Sequence, residues 1–118
     1  MKLLRFLVFG ILVFMLWPEC IAAEWQWSVQ IPGIISNETD DHPQAFLWIP
    51  SDCAQVRGVM IGTHNMTEET LFENLLFREK MSEMGMGLIW ITPGWDQKWD
   101  VSAGSQRAFE QMLEDFAA

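Results

Sequence analysis

Basic residues are scarce in this chain of 118 residues. Seven Lys and Arg stand against 16 Asp and Glu, so the formal net charge is −9 and the isoelectric point is near 4.4. Binding to phosphate backbones needs clustered basic side chains, so the composition argues against a nucleic-acid partner. It argues equally against attraction to an anionic membrane surface. Low-complexity segments and internal repeats are also absent, and the length allows one domain at most.

The chain also lacks an apolar run long enough to span a membrane. The longest run, Phe6 to Trp17, has 12 residues and follows the basic residues Lys2 and Arg5. A spanning helix needs roughly 20 residues, so a secretory signal peptide over residues 1–23 is favoured over a membrane anchor. Small residues allow cleavage after Ala22 or Ala23. We therefore expect a secreted or periplasmic protein with no stable membrane span after cleavage.

Cysteine is the third scarcity. Of the two cysteines, Cys20 lies in the leader, so the mature 95 residues contain Cys53 alone. One cysteine cannot form an internal disulfide, so we expect the exported chain to have no covalent cross-link. Cys53 is interpreted as a partly buried residue of a turn. The mature net charge becomes −10, because two bases and one acid leave with the leader.

The hydrophobic pattern of residues 24–118 predicts four strands and two helices. Alternation from Trp25 to Ile31 indicates a strand with one buried face, near a sheet edge. The later apolar runs indicate buried strands, and the helical spacing that starts at Glu68 or Ala103 indicates amphipathic helices. The remaining predicted elements are strands 45–49, 59–62 and 88–92 and helices 68–84 and 103–118. The order β-β-β-α-β-α predicts an α/β fold whose first strands are antiparallel and whose later strands are parallel.

A polar loop, Gly62 to Thr67, follows the third strand. Ligands of open α/β sheets bind outside the carboxyl ends of the strands, and backbone N–H groups there can point at a developing negative charge. His64 could hold the shape of this loop through hydrogen bonds. The alternative is a loop that only caps the next helix through Asn65 or Thr67.

Other candidates lie in the loop after the fourth strand and in the turn before the second. Trp95 and Trp99 can stack on sugar or aryl groups, or they can cover the sheet edge. Asp96 can border a substrate cleft or be solvated. The turn from Asp40 to His42 is interpreted as solvated rather than cation-binding, and no His or Cys spacing is typical of a metal site. We expect neither metal nor cofactor.

The secreted start, the leading strands, Gly-x-His-Asn at Gly62 to Asn65 and the segment Thr92-Pro93-Gly94-Trp95-Asp96 together resemble the N-terminal part of an α/β hydrolase. The similarity covers most of residues 44–118 and is closest to exported, esterase-like hydrolases of carbohydrate-degrading bacteria. It implies that the loop from His64 to Met66 supplies one backbone N–H of an oxyanion hole. The chain departs from the family at Asn65, where glycine is usual.

The resemblance also implies a nucleophilic serine in G-x-S-x-G, which this chain lacks. We interpret residues 24–118 as a partial hydrolase domain that ends before the nucleophile strand and is inactive by itself. Its substrate class would be small-molecule or carbohydrate esters. The alternative is a small exported α/β binding module with an acidic, Trp-bearing surface. In a partial sheet we expect residues 59–61 and 88–91 to be partly uncovered.

Overall fold

A four-stranded mixed sheet organises the computed structural model, which describes residues 24–36, 38–64, 67–94 and 104–118. The strand order is β1-β2-β4-β3; β1 with β2 and β2 with β4 pair antiparallel, whereas β3 and β4 pair parallel. The strands are β1 Trp27–Gln30, β2 Gln44–Trp48, β3 Gly58–Thr63 and β4 Met86–Thr92, and the helices are α1 Glu68–Glu73, α2 Leu75–Glu83 and α3 Ser105–Ala117. The predicted α/β class is confirmed, as is the change from antiparallel to parallel pairing.

Helices cover both faces of this sheet. Side chains alternate along β4, so Leu88 and Trp90 face α1 and α2, while Ile89 and Ile91 face Met112 of α3. Each fully buried aliphatic side chain contributes about 1.5–3 kcal/mol to folding. The α1–α2 cluster contains Phe72, Met81, Leu88 and Trp90, and the α3 cluster contains Ile31, Ile34, Ala45, Leu47, Ile89, Ile91 and Met112.

The single helix predicted over 68–84 is two helices. Asn74 interrupts it with extended backbone, φ −70° and ψ 124°, and its side chain accepts the Phe77 N–H at 3.1 Å. Asparagine side chains favour such caps over helix interiors, which is the local reason for the break. The helical stripe is therefore not continuous, and only part of it is buried. Phe72 and Met81 are buried, whereas Leu71, Leu75, Leu76 and Met84 are exposed.

The expectation that residues 88–91 are partly uncovered is wrong. β4 lies between β2 and β3, and each residue from Leu88 to Ile91 is at most 4% exposed. β1 and β3 are the two edge strands of the described sheet. In β3, Val59 and Ile61 are half-buried and Met60 is 40% exposed, as expected for that strand. The connection from β3 through α1 and α2 places β4 between β2 and β3. The order of the elements along the sequence does not predict this position.

The last helix agrees with its prediction to within two residues at each end. Its expected stripe faces the sheet through Met112, which is buried, and through Phe109 and Phe116, which are half-buried. Leu113 is the exception and is exposed. α3 packs near the end of β1, where Ala108 lies beside Gly33.

The segment that precedes β1 is attached to α2 through a buried arginine. Arg78 is 5% exposed, and its Nη1 donates to the Glu24 carbonyl at 3.0 Å. Its guanidinium lies 4.6 Å from the ring of Trp25 and 4.9 Å from that of Trp48, a cation–π contact with both. Burial lowers the pKa of the Arg78 guanidinium, and the charge of Glu73 opposes that shift. The segment from Glu24 onward is therefore part of the fold.

The expected signal peptide, residues 1–23, lies outside the described residues. In the part of the chain that the structure describes, no helix combines the length and apolar character that crossing a membrane requires.

Candidate functional site

The carboxyl ends of β3 and β4 lie side by side, because the two strands are parallel neighbours. His64 directly follows β3, and its backbone N–H donates to the Ile91 carbonyl at 2.9 Å. Gly94 follows β4 two residues after its end and lies so near that a Cβ on it would be 3.0 Å from the His64 carbonyl oxygen. The loops after the two strands therefore begin in contact.

The chain leaves these two strands toward opposite faces of the sheet. β3 leads to α1 and α2 on one face, whereas the helix that follows β4, α3, packs on the other. Where neighbouring parallel strands connect to opposite faces, the two loops separate and leave a crevice at the carboxyl ends. Ligands of open α/β sheets bind at this edge, outside the carboxyl ends of the strands, and His64 lies there.

Of the residues expected at the site, the structure describes His64. Its side chain is 45% exposed, and its ring meets the Trp90 ring edge-on, with centroids 6.5 Å apart at 85°. The other expected residues lie outside the described residues; they are Asn65, Met66, Trp95, Asp96 and Trp99.

Glu38 is a site residue that was not among the candidates from sequence. Glu38 Oε2 lies 3.4 Å from His64 Nδ1 and accepts the Gly94 N–H at 3.3 Å. It lies between β1 and β2, 26 residues before His64. No spacing or motif in the sequence links the two, because the sheet alone brings them together.

Ser36 is hydrogen-bonded to the backbone of Glu38. It is 1% exposed; its Oγ donates to the Gly94 carbonyl at 2.9 Å and accepts the Glu38 N–H at 3.2 Å. The loop also closes on itself, since Ser36 N–H donates to the Asp41 carbonyl at 2.9 Å. With this oxygen engaged and the side chain buried, Ser36 serves as a structural residue and not as a nucleophile.

The first residue of α1 also contacts the end of β3. Glu68 Oε2 accepts the Thr63 N–H at 3.1 Å. Glu68 and Glu69 lie in the first turn of α1, where carboxylates interact favourably with the positive end of the helix dipole. Glu68 in addition fixes the distance between β3 and the helix.

The remaining candidates show ordinary structural contacts. His42 Nδ1 lies 2.7 Å from the Ile34 carbonyl oxygen, and Cys53 is half-buried with Sγ 3.1 Å from the Gln55 carbonyl oxygen. Among the described residues, no three His, Cys, Asp or Glu side chains come together as metal ligands. The interpretation of Cys53 as a partly buried turn residue is confirmed.

A groove of about 630 Å³ lies elsewhere, between the end of β1 and α3. It is lined by Ile31, Pro32, Gly33, Gly104, Arg107, Ala108 and Gln111. None of the expected site residues that the structure describes lines this groove, so the groove is separate from the candidate site at His64.

Comparisons with protein-family models, with curated proteins and with solved structures found no match to this chain. The candidate site therefore stands on its geometry: an exposed imidazole beside a carboxylate, at the adjoining ends of two parallel strands.

Proposed function

We propose that the chain is the N-terminal part of an exported α/β hydrolase that cleaves esters, with carbohydrate esters as the substrate class to test first. The observation that carries the proposal is the position of His64, at the carboxyl ends of two parallel strands whose following helices lie on opposite faces of the sheet. In such a hydrolase the loop after β3 donates a backbone N–H to the tetrahedral oxyanion, and His64 braces that loop. Asn65 or Met66 would be the donor.

The layout of the helices supports a sheet that continues beside β3. Parallel β-α-β connections are right-handed in about 98% of cases. The connection through α1 and α2 moves the chain from β3 inward to β4. A connection of the same hand through α3, on the opposite face, moves it the other way and adds its strand next to β3. A nucleophile at the end of that strand would stand beside the loop that starts at His64.

The half-buried side chains of β3 support the same continuation. Val59 and Ile61 are packed against the α3 cluster on one side only, and Met60 is exposed on the other face. A further strand beside β3 would cover them. Without that strand and its nucleophile, we propose that residues 24–118 bind no ester productively and do not hydrolyse it.

The first experiment is to sequence the gene beyond codon 118 and to express everything in frame with it. A continuation that encodes G-x-S-x-G, followed by Asp and His, supports the hydrolase. A stop followed by unrelated sequence contradicts it and favours the binding module. Recovery of the mature protein outside the cytoplasm, with its N-terminus at Ala23 or Glu24, tests the export that the proposal includes.

The second experiment tests the loop in the full-length enzyme, with a small aryl ester as substrate. Asn65→Ala keeps the backbone N–H and should retain turnover within about tenfold. Asn65→Pro removes the N–H and fixes φ, so turnover should fall roughly 10²- to 10³-fold, the usual loss for one oxyanion donor. His64→Ala should fall between the two. Parental activity in a folded Asn65→Pro variant would show that the loop is only a helix cap.

A further inference from the structure

The Glu38 carboxylate joins three segments that are far apart in the sequence. It comes from the β1–β2 connection, contacts His64 Nδ1 at 3.4 Å after β3, and accepts the Gly94 N–H at 3.3 Å after β4. The three segments meet at the carboxyl ends of β3 and β4. A single side chain thus links residues that follow both strands.

Ser36 and Gly94 pack closely around the Glu38 carboxylate and its backbone. Ser36 holds the Glu38 backbone N–H and the Gly94 carbonyl with the same buried oxygen. Space at Gly94 is limited by the backbone, since a Cβ there would lie 3.0 Å from the His64 carbonyl oxygen. The Glu38 side chain, 37% exposed, lies beside both residues.

A carboxylate beside Nδ1 determines how the imidazole is protonated. It favours the neutral tautomer that carries its proton on Nδ1 and leaves Nε2 as the acceptor. The edge-on contact with Trp90 restrains the same ring from a second side. The Glu38 carboxylate and the Trp90 ring therefore contact the His64 ring from two sides.

We propose that Glu38 is a positioning residue for this site: it fixes the tautomer and orientation of His64, the first residue after β3. The inference about His64 stands on the contacts alone, and its consequence for turnover rests on the proposed hydrolase function. Glu38 itself need not touch substrate. Residues that orient a functional histidine in this way typically contribute 10- to 100-fold.

Nitrogen-15 NMR of the two histidines tests the positioning directly on the full chain, at a pH where both rings are neutral. In the parent, His64 should show its proton on Nδ1. Glu38→Ala should shift His64 toward the Nε2-protonated tautomer that neutral imidazole prefers in water, whereas Glu38→Gln, which keeps an oxygen acceptor, should preserve Nδ1–H. His42 is the internal control, because its Nδ1 faces the Ile34 carbonyl, which can only accept.

The outcome that overturns the proposal is an unchanged His64 tautomer in Glu38→Ala while the His42 signals are also unchanged. The exposed neighbour Thr39→Ala serves as the matched control and should alter neither histidine.

Kinetics of the full-length enzyme then separate the two proposals. Glu38→Ala should lower kcat about 10- to 100-fold with little change in KM, and Glu38→Gln should recover most of it. A tautomer shift in a protein that hydrolyses no ester in any form would leave the positioning intact and refute the hydrolase function. A tautomer shift with parental kcat would refute the effect on turnover.

Discussion

The Glu68 carboxylate accepts the Thr63 N–H on the side of β3 that faces away from β4. The direction follows from the ladder: His64 N–H points to β4, where it bonds the Ile91 carbonyl, and successive residues of a strand point their backbone groups to opposite sides. Glu68 thus occupies the place that a partner strand would take at Thr63. The outward backbone groups at Val59 and Ile61 have no partner strand among the described residues.

Replacing Glu68 by Ala should lower the free energy of unfolding by about 1–2 kcal/mol, because a half-buried backbone N–H loses its charged acceptor. Urea denaturation gives the value. Glu69→Ala is the matched control, since it removes an equal charge from the same helical turn and should cost no more than about 0.5 kcal/mol. Equal losses for the two variants would mean that the Thr63 contact adds no stability.

Amide exchange along β3 should alternate in residues 24–118 expressed alone. The Met60 and Gly62 amides point to β4 and should exchange slowly, whereas the Ile61 amide points to the open edge and should exchange fast. In a longer protein whose sheet continues beside β3, Ile61 should become protected as well. Slow exchange of Ile61 in the monomeric short chain would contradict an open edge.

Gly62→Ala should destabilise the protein by about 1–3 kcal/mol, because the added Cβ would lie 2.8 Å from Cζ of the buried Phe72 ring. Gly33→Ala is the control, with 4.0 Å to the nearest atom, and should change stability by no more than about 0.5 kcal/mol. Thermal and urea unfolding measure both.

A smaller residue at position 72 should make Gly62→Ala less harmful. In the double variant Gly62→Ala with Phe72→Leu, the loss should be at least about 1 kcal/mol smaller than the sum of the two single losses. Additive losses would mean that the Phe72 ring is not what limits the space at Gly62.

Trp25→Leu should lower the free energy of unfolding by about 1–2 kcal/mol, because leucine has no π face for the buried Arg78 guanidinium. Trp27→Leu is the control; that ring is 55% exposed, and its loss should stay within about 0.5 kcal/mol. The Gln26 amide, which donates to the Leu47 carbonyl at 3.0 Å, should exchange faster in the Trp25 variant alone. Unchanged exchange there would mean that Trp25 does not hold the segment.

Local pattern located the strands and α3 but not their arrangement. Alternation located β1, apolar runs located the other three strands, and the apolar stripe located α3. The break at Asn74 was missed because apolar spacing continues across it. That spacing treats Leu75 and Leu76 as core, although both are exposed.

The candidate site likewise contains one residue that could be predicted from sequence and one that could not. His64 could be located from sequence, since it follows a buried strand and such ends are where ligands bind. Glu38 could not, because its contacts with His64 and Gly94 depend on the strand order β1-β2-β4-β3 and on a loop built around buried Ser36. Those are tertiary relationships that a linear pattern does not contain.

The composition and surroundings of the edge strand β3 affect how readily the protein aggregates. Residues 58–63 of β3 carry no charge and no proline, a composition that invites another chain to add a strand and start an aggregate. The exposed Arg57 flanks this segment at one end, and the Glu68 carboxylate blocks its last outward N–H at the other. In the part of the chain that the structure describes, the outward groups of Val59 and Ile61 and the Thr63 carbonyl are left for a foreign strand, and a net charge of −9 repels other copies of the chain. The residue that anchors α1 thus also limits intermolecular strand pairing, so losing Glu68 would shorten the soluble lifetime of the protein as well as its stability.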